Sequence, residues 1–387
     1  MAQAATGPRR VNQVLLVLVV GMVLAWAGLP FLTQAPNRLL SGVGLHWGQG
    51  LGPQAWLAVM PALPVLCLLR SLWLRPARAE QLGVALAASF LLASLWMLAG
   101  TQARALQSAD TPLARIALGP TFWWLCAACV LVWMDALQRA RLRLPWHALA
   151  SSLAWLPALA VLASGALNEL SLAKEYANRA DVFTQALHTH GLIVLLALLP
   201  TLVLGLPLGA WAHRRPHAAR PLLLGLGLVQ TLPSIALFAL LIAPLTWLGL
   251  PGVGLLPAIL ALVMYSLLPI VRSTATGLAA APARVLEAAK AMGMSASQLF
   301  WKVRAPIALP LLLTGVRVCT VQCIGLTVVA ALIGAGGMGA LIFQGLLSTA
   351  LDLVLLGTLP VVALALAVDT LFRVLIHHLN PPQALAP

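Results

Sequence analysis

Few residues in this chain have types and spacings that could do chemistry. Cys126 and Cys129 form a C-x-x-C pair, and three histidine pairs lie close in sequence: His188 with His190, His213 with His217, and His377 with His378. A zinc site needs four ligands in a polar setting, and the C-x-x-C pair has no second ligand pair to complete it. All five cysteines, at 67, 126, 129, 319 and 323, sit in apolar runs, where a thiol serves as a small packing residue. The histidines fall at the ends of such runs, where placement at a membrane boundary accounts for them. Lys174, Lys290 and Lys302 follow Ala173, Ala289 and Trp301, so no G-K-[ST] phosphate loop can be built. There is no H-E-x-x-H, and no nucleophile stands with a base. Neither a catalytic centre nor a bound metal or cofactor is expected on this chain.

Three acids lie in or near apolar runs, where a carboxylate could exchange a proton or hold a cation. Asp135 and Asp352 fall near the ends of their runs, and Asp369 precedes Arg373 by four residues, a natural helical ion pair near a membrane surface. Other polar groups inside apolar sequence are Gln230, Thr231 and Ser234 around Pro233. Irregular backbone there must be buried or line a cavity, and both pathway lining and helix packing fit. Tyr265, one of two tyrosines, could offer its ring face to a quaternary ammonium or be an ordinary packed aromatic. Gly334, Gly336, Gly337 and Gly339 permit tight turns or close helix approach, and gate geometry is the expected use.

The elements that carry these residues follow from composition. Of 387 residues, 61% are hydrophobic and only 8% charged, which excludes a soluble domain and points to an all-α integral membrane protein. Runs of about 20 apolar residues recur at 12–33, 54–73, 82–100, 120–137, 146–165, 190–212, 221–245, 253–271, 310–333 and 352–375, giving an expectation of ten spans. The first, after Arg9 and Arg10, lacks an A-x-A cleavage site and reads as a retained helix. With both termini cytoplasmic, 18 of the 23 Lys and Arg fall on cytoplasmic segments or helix ends. Only Arg38, Arg104, Arg115, Lys174 and Arg179 remain outside, the bias that orients multi-pass proteins. The net charge of +14 then belongs to membrane anchoring rather than to nucleic acid. The polar stretch 166–186 is the expected boundary between two groups of five spans.

Between two of the later spans lies "EAAKAMGMSASQLFWKVRAP", residues 287–306. Pro282 suits a first helical position, Val285, Leu286, Ala289 and Met292 share one face, and Arg284, Glu287 and Lys290 can pair on another. Gly293 supplies a left-handed stop, Ser295 and Gln298 have the spacing of a capping box, and Pro306 is expected to end the second helix. Such a jointed amphipathic element suits a partner's groove, or else rests on the bilayer surface.

Glu287, Ala288, Ala289, Gly293 and Pro306 resemble the E-A-A-x-x-x-G coupling motif of ABC importer permeases, with Ala305 where that family has leucine before the proline. "VQTLPSIALFALL" from 229, "MYSLLPIVRSTATGL" from 264 and "ALIGAGGMGALIFQGL" from 331 are similar to permease subunits of osmoprotectant importers for glycine betaine, choline or carnitine. The long N-terminal part resembles the YehY-type branch of that group. The resemblance implies a five-helix extension over 1–183 and a type I permease core of five helices over 184–380, with a coupling loop at 282–306. It implies a bacterial inner-membrane location and transport without catalysis on this chain, with ATP and Mg bound by a separate ATPase subunit. The further partners implied are a second permease copy or paralogue, a periplasmic or extracellular substrate-binding protein, and membrane lipid. An ion-coupled secondary transporter of small zwitterions or amino acids is the alternative.

Overall fold

A computed structural model of the chain describes residues 13–37, 42–59, 61, 65–66, 68–69, 78–107, 114–142, 149–150, 153 and 155–379. Arg9, Arg10, Arg38, Arg70, Arg75, Arg143, Cys67 and parts of the expected spans at 54–73 and 146–165 lie outside these residues. The chain divides into two compact units, Met1–Asn178 and Arg179–Pro387.

In the first unit, α1 (Gln13–Gly28) stops short of the expected span at 12–33. Pro30 has no N–H and pushes Leu29 away from helical backbone, and the chain enters strand β1 (Leu32–Ala35) instead. β1 pairs antiparallel with β2 (Val43–Leu45) on one side and β3 (Arg115–Leu118) on the other. This small sheet corrects the all-α expectation; strands of three or four residues are too short to leave a readable alternation. The long apolar helices are α2 (Arg78–Leu106) and α3 (Pro120–Arg139), followed by the short α4 (Leu156–Ala163). Thr121 Oγ1, at the start of α3, donates to the carbonyls of Ala25 and Leu29 at 2.8 and 2.6 Å. It thereby satisfies acceptors at the frayed end of α1.

The polar stretch 166–186 is no loose linker, since it forms α5 (Ser171–Asn178). Lys174 Nζ meets Glu169 at 2.9 Å and Gln107 at 2.7 Å, and buried Glu175 pairs with Arg115 at 3.7 Å. Cys129 packs in this unit's core, and Asp135 pairs with Arg139 at 2.7 Å.

The second unit runs α6 (Ala180–Arg214), α7 (Pro216–Thr231), α8 (Ser234–Trp247), α9 (Leu255–Ala279), α10 (Ala283–Ala291), α11 (Ala296–Leu299), a π turn (Phe300–Arg304), α12 (Ala305–Ala330), α13 (Met338–Leu347) and α14 (Leu351–Leu379). α9 lies at its centre. A Cβ on Gly205 or Gly209 of α6 would strike Ile270 or Thr274, and one on Gly315 of α12 would overlap Ser273. Lipid offers helices no hydrophobic reason to associate, so close backbone approach through such small residues supplies the packing. Ser266 Oγ and Cys323 Sγ, 3.0 Å apart, join α9 to α12.

Among the described residues six helices are long and apolar enough to cross a membrane: two in the first unit and four in the second. α7 with α8 makes a seventh if that bent pair counts as one span.

Candidate functional site

The polar segment after α9 takes a definite shape. Pro282 is the residue just before α10 rather than its first member, with extended backbone (φ −59°, ψ 138°). Its carbonyl accepts from Val285 and Leu286 at 3.0 and 3.2 Å. At the other end Gly293 adopts φ 81°, and two bonds close a Schellman motif: Gly293 N–H to Lys290 O at 2.9 Å and Met294 N–H to Ala289 O at 3.3 Å. Ser295 and Gln298 then form the expected capping box, at 2.9 and 3.3 Å.

Beyond this point two expectations are corrected. Pro306 does not end the second helix. Residues 300–304 widen into a π turn in which Ala305 N–H reaches back to Phe300 O, and α12 follows without a break. The wider turn makes room for the proline ring, and the missing N–H falls in the opening turn of α12, where it costs little. Secondly, Arg284, Glu287 and Lys290 form no ion pair among the described residues. Exposed pairs of this kind gain little over hydration.

The apolar stripe expected on α10 is divided. Ala289 is buried and Leu286 half-buried, as is Leu299 of α11 buried, whereas Met292 is 71% and Trp301 70% exposed. Glu287, Ala288, Gly293 and Pro306 are exposed alongside them. A carboxylate without an ion pair and large uncovered apolar side chains are the kinds of group that a protein partner covers.

Behind this surface Arg304 Nη1 lies 2.9 Å from His213 Nε2, in the last turn of α6. Arginine has no acceptor, so the guanidinium donates and the imidazole nitrogen accepts. No sequence spacing indicates this contact, since the partners lie 91 residues apart. His190 is buried in α6 against Gly337.

The expected span at 221–245 is two helices bent by 110° at Leu232–Pro233. The proline forces Leu232 into extended backbone (ψ 138°) and leaves main-chain polar groups without helical partners. Two side chains repair the break. Tyr265 donates its hydroxyl to Leu232 O at 2.5 Å, and Gln230 Nε2 donates to Tyr265 O at 2.7 Å. Thr231 is exposed, bonding back to Leu228 O at 2.7 Å, and Ser234 is half-buried at the start of α8. Gln230 and Tyr265 therefore come together as a clasp, and Tyr265 is only 4% exposed. Tyr265→Phe is expected to cost about 1–3 kcal/mol by orphaning the Leu232 carbonyl. It should lower the thermal midpoint of the detergent-solubilised protein while leaving the apparent KM for solute unchanged, because the ring face is kept. A raised KM with unchanged stability would assign the tyrosine to the solute instead.

The glycine cluster turns the chain from α12 into α13. Gly334, Gly336 and Gly337 have φ of 80°, 81° and 77°, and a Cβ on Gly339 would fall on the Val328 carbonyl.

Comparison with known proteins is consistent across both units. The family profile described as "ABC transporter permease YehY, N-terminal domain" matches residues 9–173, and "Binding-protein-dependent transport system inner membrane component" matches 201–381. The osmoprotectant import permease protein OsmW of Salmonella typhimurium is 39% identical over 192 residues, covering 50% of this chain and 89% of that protein. The chain belongs to the binding-protein-dependent ABC permease family. The permease is also 35% identical over 192 residues to the glycine betaine/carnitine/choline permease protein OpuCB of Bacillus subtilis, covering 50% of this chain and 86% of the relative. To the glycine betaine/proline betaine permease protein ProW of Escherichia coli it is 33% identical over 189 residues, 49% of this chain and 51% of the relative. The resemblance carried by the motifs thus holds. The permease is a multi-pass inner-membrane transport subunit, not an enzyme, and its family works with an ATPase and a substrate-binding protein.

Proposed function

We propose that the permease carries glycine betaine or a related quaternary-ammonium osmoprotectant inward, pairing with a second permease copy or a paralogue around the path. Both termini face the cytoplasm. Residues 1–183 form an extension of about five spans and 184–380 the five-span core. Its loop at 282–306 docks into an ATPase subunit that binds ATP and Mg. Glu287, Ala288, Gly293 and Pro306 belong to the docking surface, and buried Ala289 holds its helix from behind. Gln230, Thr231, Ser234 and Tyr265 shape the path at the α7–α8 bend, and Gly334, Gly336, Gly337 and Gly339 the gate.

The observation that carries this reading is the exposure of Glu287, Met292 and Trp301 on one short segment, held in one shape by its Schellman motif and capping box. The names of OsmW, OpuCB and ProW support the solute class. An ion-coupled carrier needs a carboxylate free to exchange its charge, whereas Asp369 is held by two arginines. The test is uptake of labelled betaine, choline, carnitine, proline and glutamine into vesicles holding the permease, its ATPase and its binding protein. Betaine uptake should require all three proteins and ATP. Uptake persisting without ATP, or with proline or glutamine alone, would overturn the proposal.

A further inference from the structure

The expected Asp369–Arg373 pair has a third member that sequence did not indicate. Asp369 of α14 accepts from Arg373 Nε at 2.7 Å through one oxygen and from Arg317 Nε of α12 at 2.5 Å through the other. Each guanidinium spends its Nε–H on the carboxylate. Among the described residues the terminal nitrogens of both arginines have no protein acceptor. With Thr314, Ile376 and His377 they line an open cavity of about 270 Å³.

We propose that this cavity is an oxyanion site for a phosphate ester, occupied by the headgroup of an anionic phospholipid. Two cations against one anion leave the cluster with an excess positive charge that a phosphate neutralises. One carboxylate holding both arginines presents their outer edges as a fixed double fork, the geometry that suits phosphate oxygens. Thr314 Oγ1 donates to Pro310 O at 2.8 Å, so toward the cavity it can only accept, as from a headgroup hydroxyl. Depth agrees with this occupant. α14 has 29 residues, about 43 Å, against about 30 Å of hydrocarbon. Arg373 stands roughly 9 Å before the end of that helix, near the edge of a centred hydrocarbon layer, from where its long side chain reaches the headgroups. Basic pockets between helices on the cytoplasmic side recognise anionic headgroups in this way.

The full chain in phosphatidylcholine nanodiscs with or without phosphatidylglycerol tests the assignment by native mass spectrometry. Wild-type protein should retain phosphatidylglycerol in preference to phosphatidylcholine. Arg373→Gln, which keeps the Arg317–Asp369 bridge, should lose about fivefold of that preference. Arg139→Gln, in the other unit, should lose none. If Arg373→Gln fails to accumulate, Arg373→Lys serves instead: it keeps the charge, loses the fork and should fall between the two. Inorganic phosphate titrated into lipid-neutral nanodiscs separates the sources. No phosphate-dependent rise in thermal midpoint identifies the lipid, and a rise that Arg373→Gln abolishes identifies a soluble phosphate at the same cradle. Equal retention by wild type and the Arg373 variant, or equal loss in Arg139→Gln, would overturn the site. The site is independent of the solute, so failed betaine uptake would leave it standing.

Discussion

Glu287→Lys is expected to abolish ATP-driven uptake while the permease accumulates normally in the membrane. The carboxylate is exposed and makes no ion pair among the described residues, so the fold has little stake in its sign, within about 0.5 kcal/mol. A docked partner does have a stake. Reversing a charge that is buried on docking costs about 2–5 kcal/mol, a loss of roughly 30- to 5,000-fold in association. The neighbouring Arg284 and Lys290 would make the reversed surface uniformly basic. The ATPase should therefore fail to co-purify with the variant in detergent, and ATP-dependent uptake should vanish with it. Unchanged co-purification would show that the loop docks elsewhere.

The second large effect separates two kinds of glycine in the turn from α12 to α13. At Gly339 an added methyl would fall on the Val328 carbonyl and against Ala331. A backbone carbonyl cannot rotate aside as a side chain can, so Gly339→Ala must force α13 off α12, costing about 1–3 kcal/mol or more. Gly334 has nothing within 4 Å of the same methyl, but its φ of 80° makes Gly334→Ala cost about 1–2 kcal/mol in backbone strain alone. In thermal unfolding of the solubilised protein, Gly339→Ala should melt well below wild type and below Gly334→Ala. The reverse order would mean that backbone strain, not helix approach, governs this turn.

What the sequence discloses here is what acts over three or four residues. The capping box of Ser295 and Gln298 and the left-handed turn at Gly293 rest on local hydrogen bonding, and both are found as expected. Pro306 was misread because the rule that proline stops a helix assumes an α turn before it, and the π turn removes that premise. The Arg304–His213 and Arg317–Asp369 contacts, 91 and 52 residues apart in sequence, depend on helix packing that no spacing encodes. Tyr265 shows the same limit. Its type leaves cation binding and ordinary packing both open, and only the bend at Pro233, folded against α9, reveals the carbonyl it serves.

The uninterrupted run through the π turn has a mechanical consequence. Residues Ala296–Ile333 form one 38-residue rod, about 57 Å long. A close approach, Gly315 against Ser273, lies near the midpoint and leaves arms of roughly 28 and 27 Å. Such a rod behaves as a balanced lever with its fulcrum in the helix bundle. A push on the Trp301 end in one direction swings the glycine-rich end the other way by a similar distance. Opening at one membrane face and closing at the other would then be a single movement, with no separate signal to carry between them.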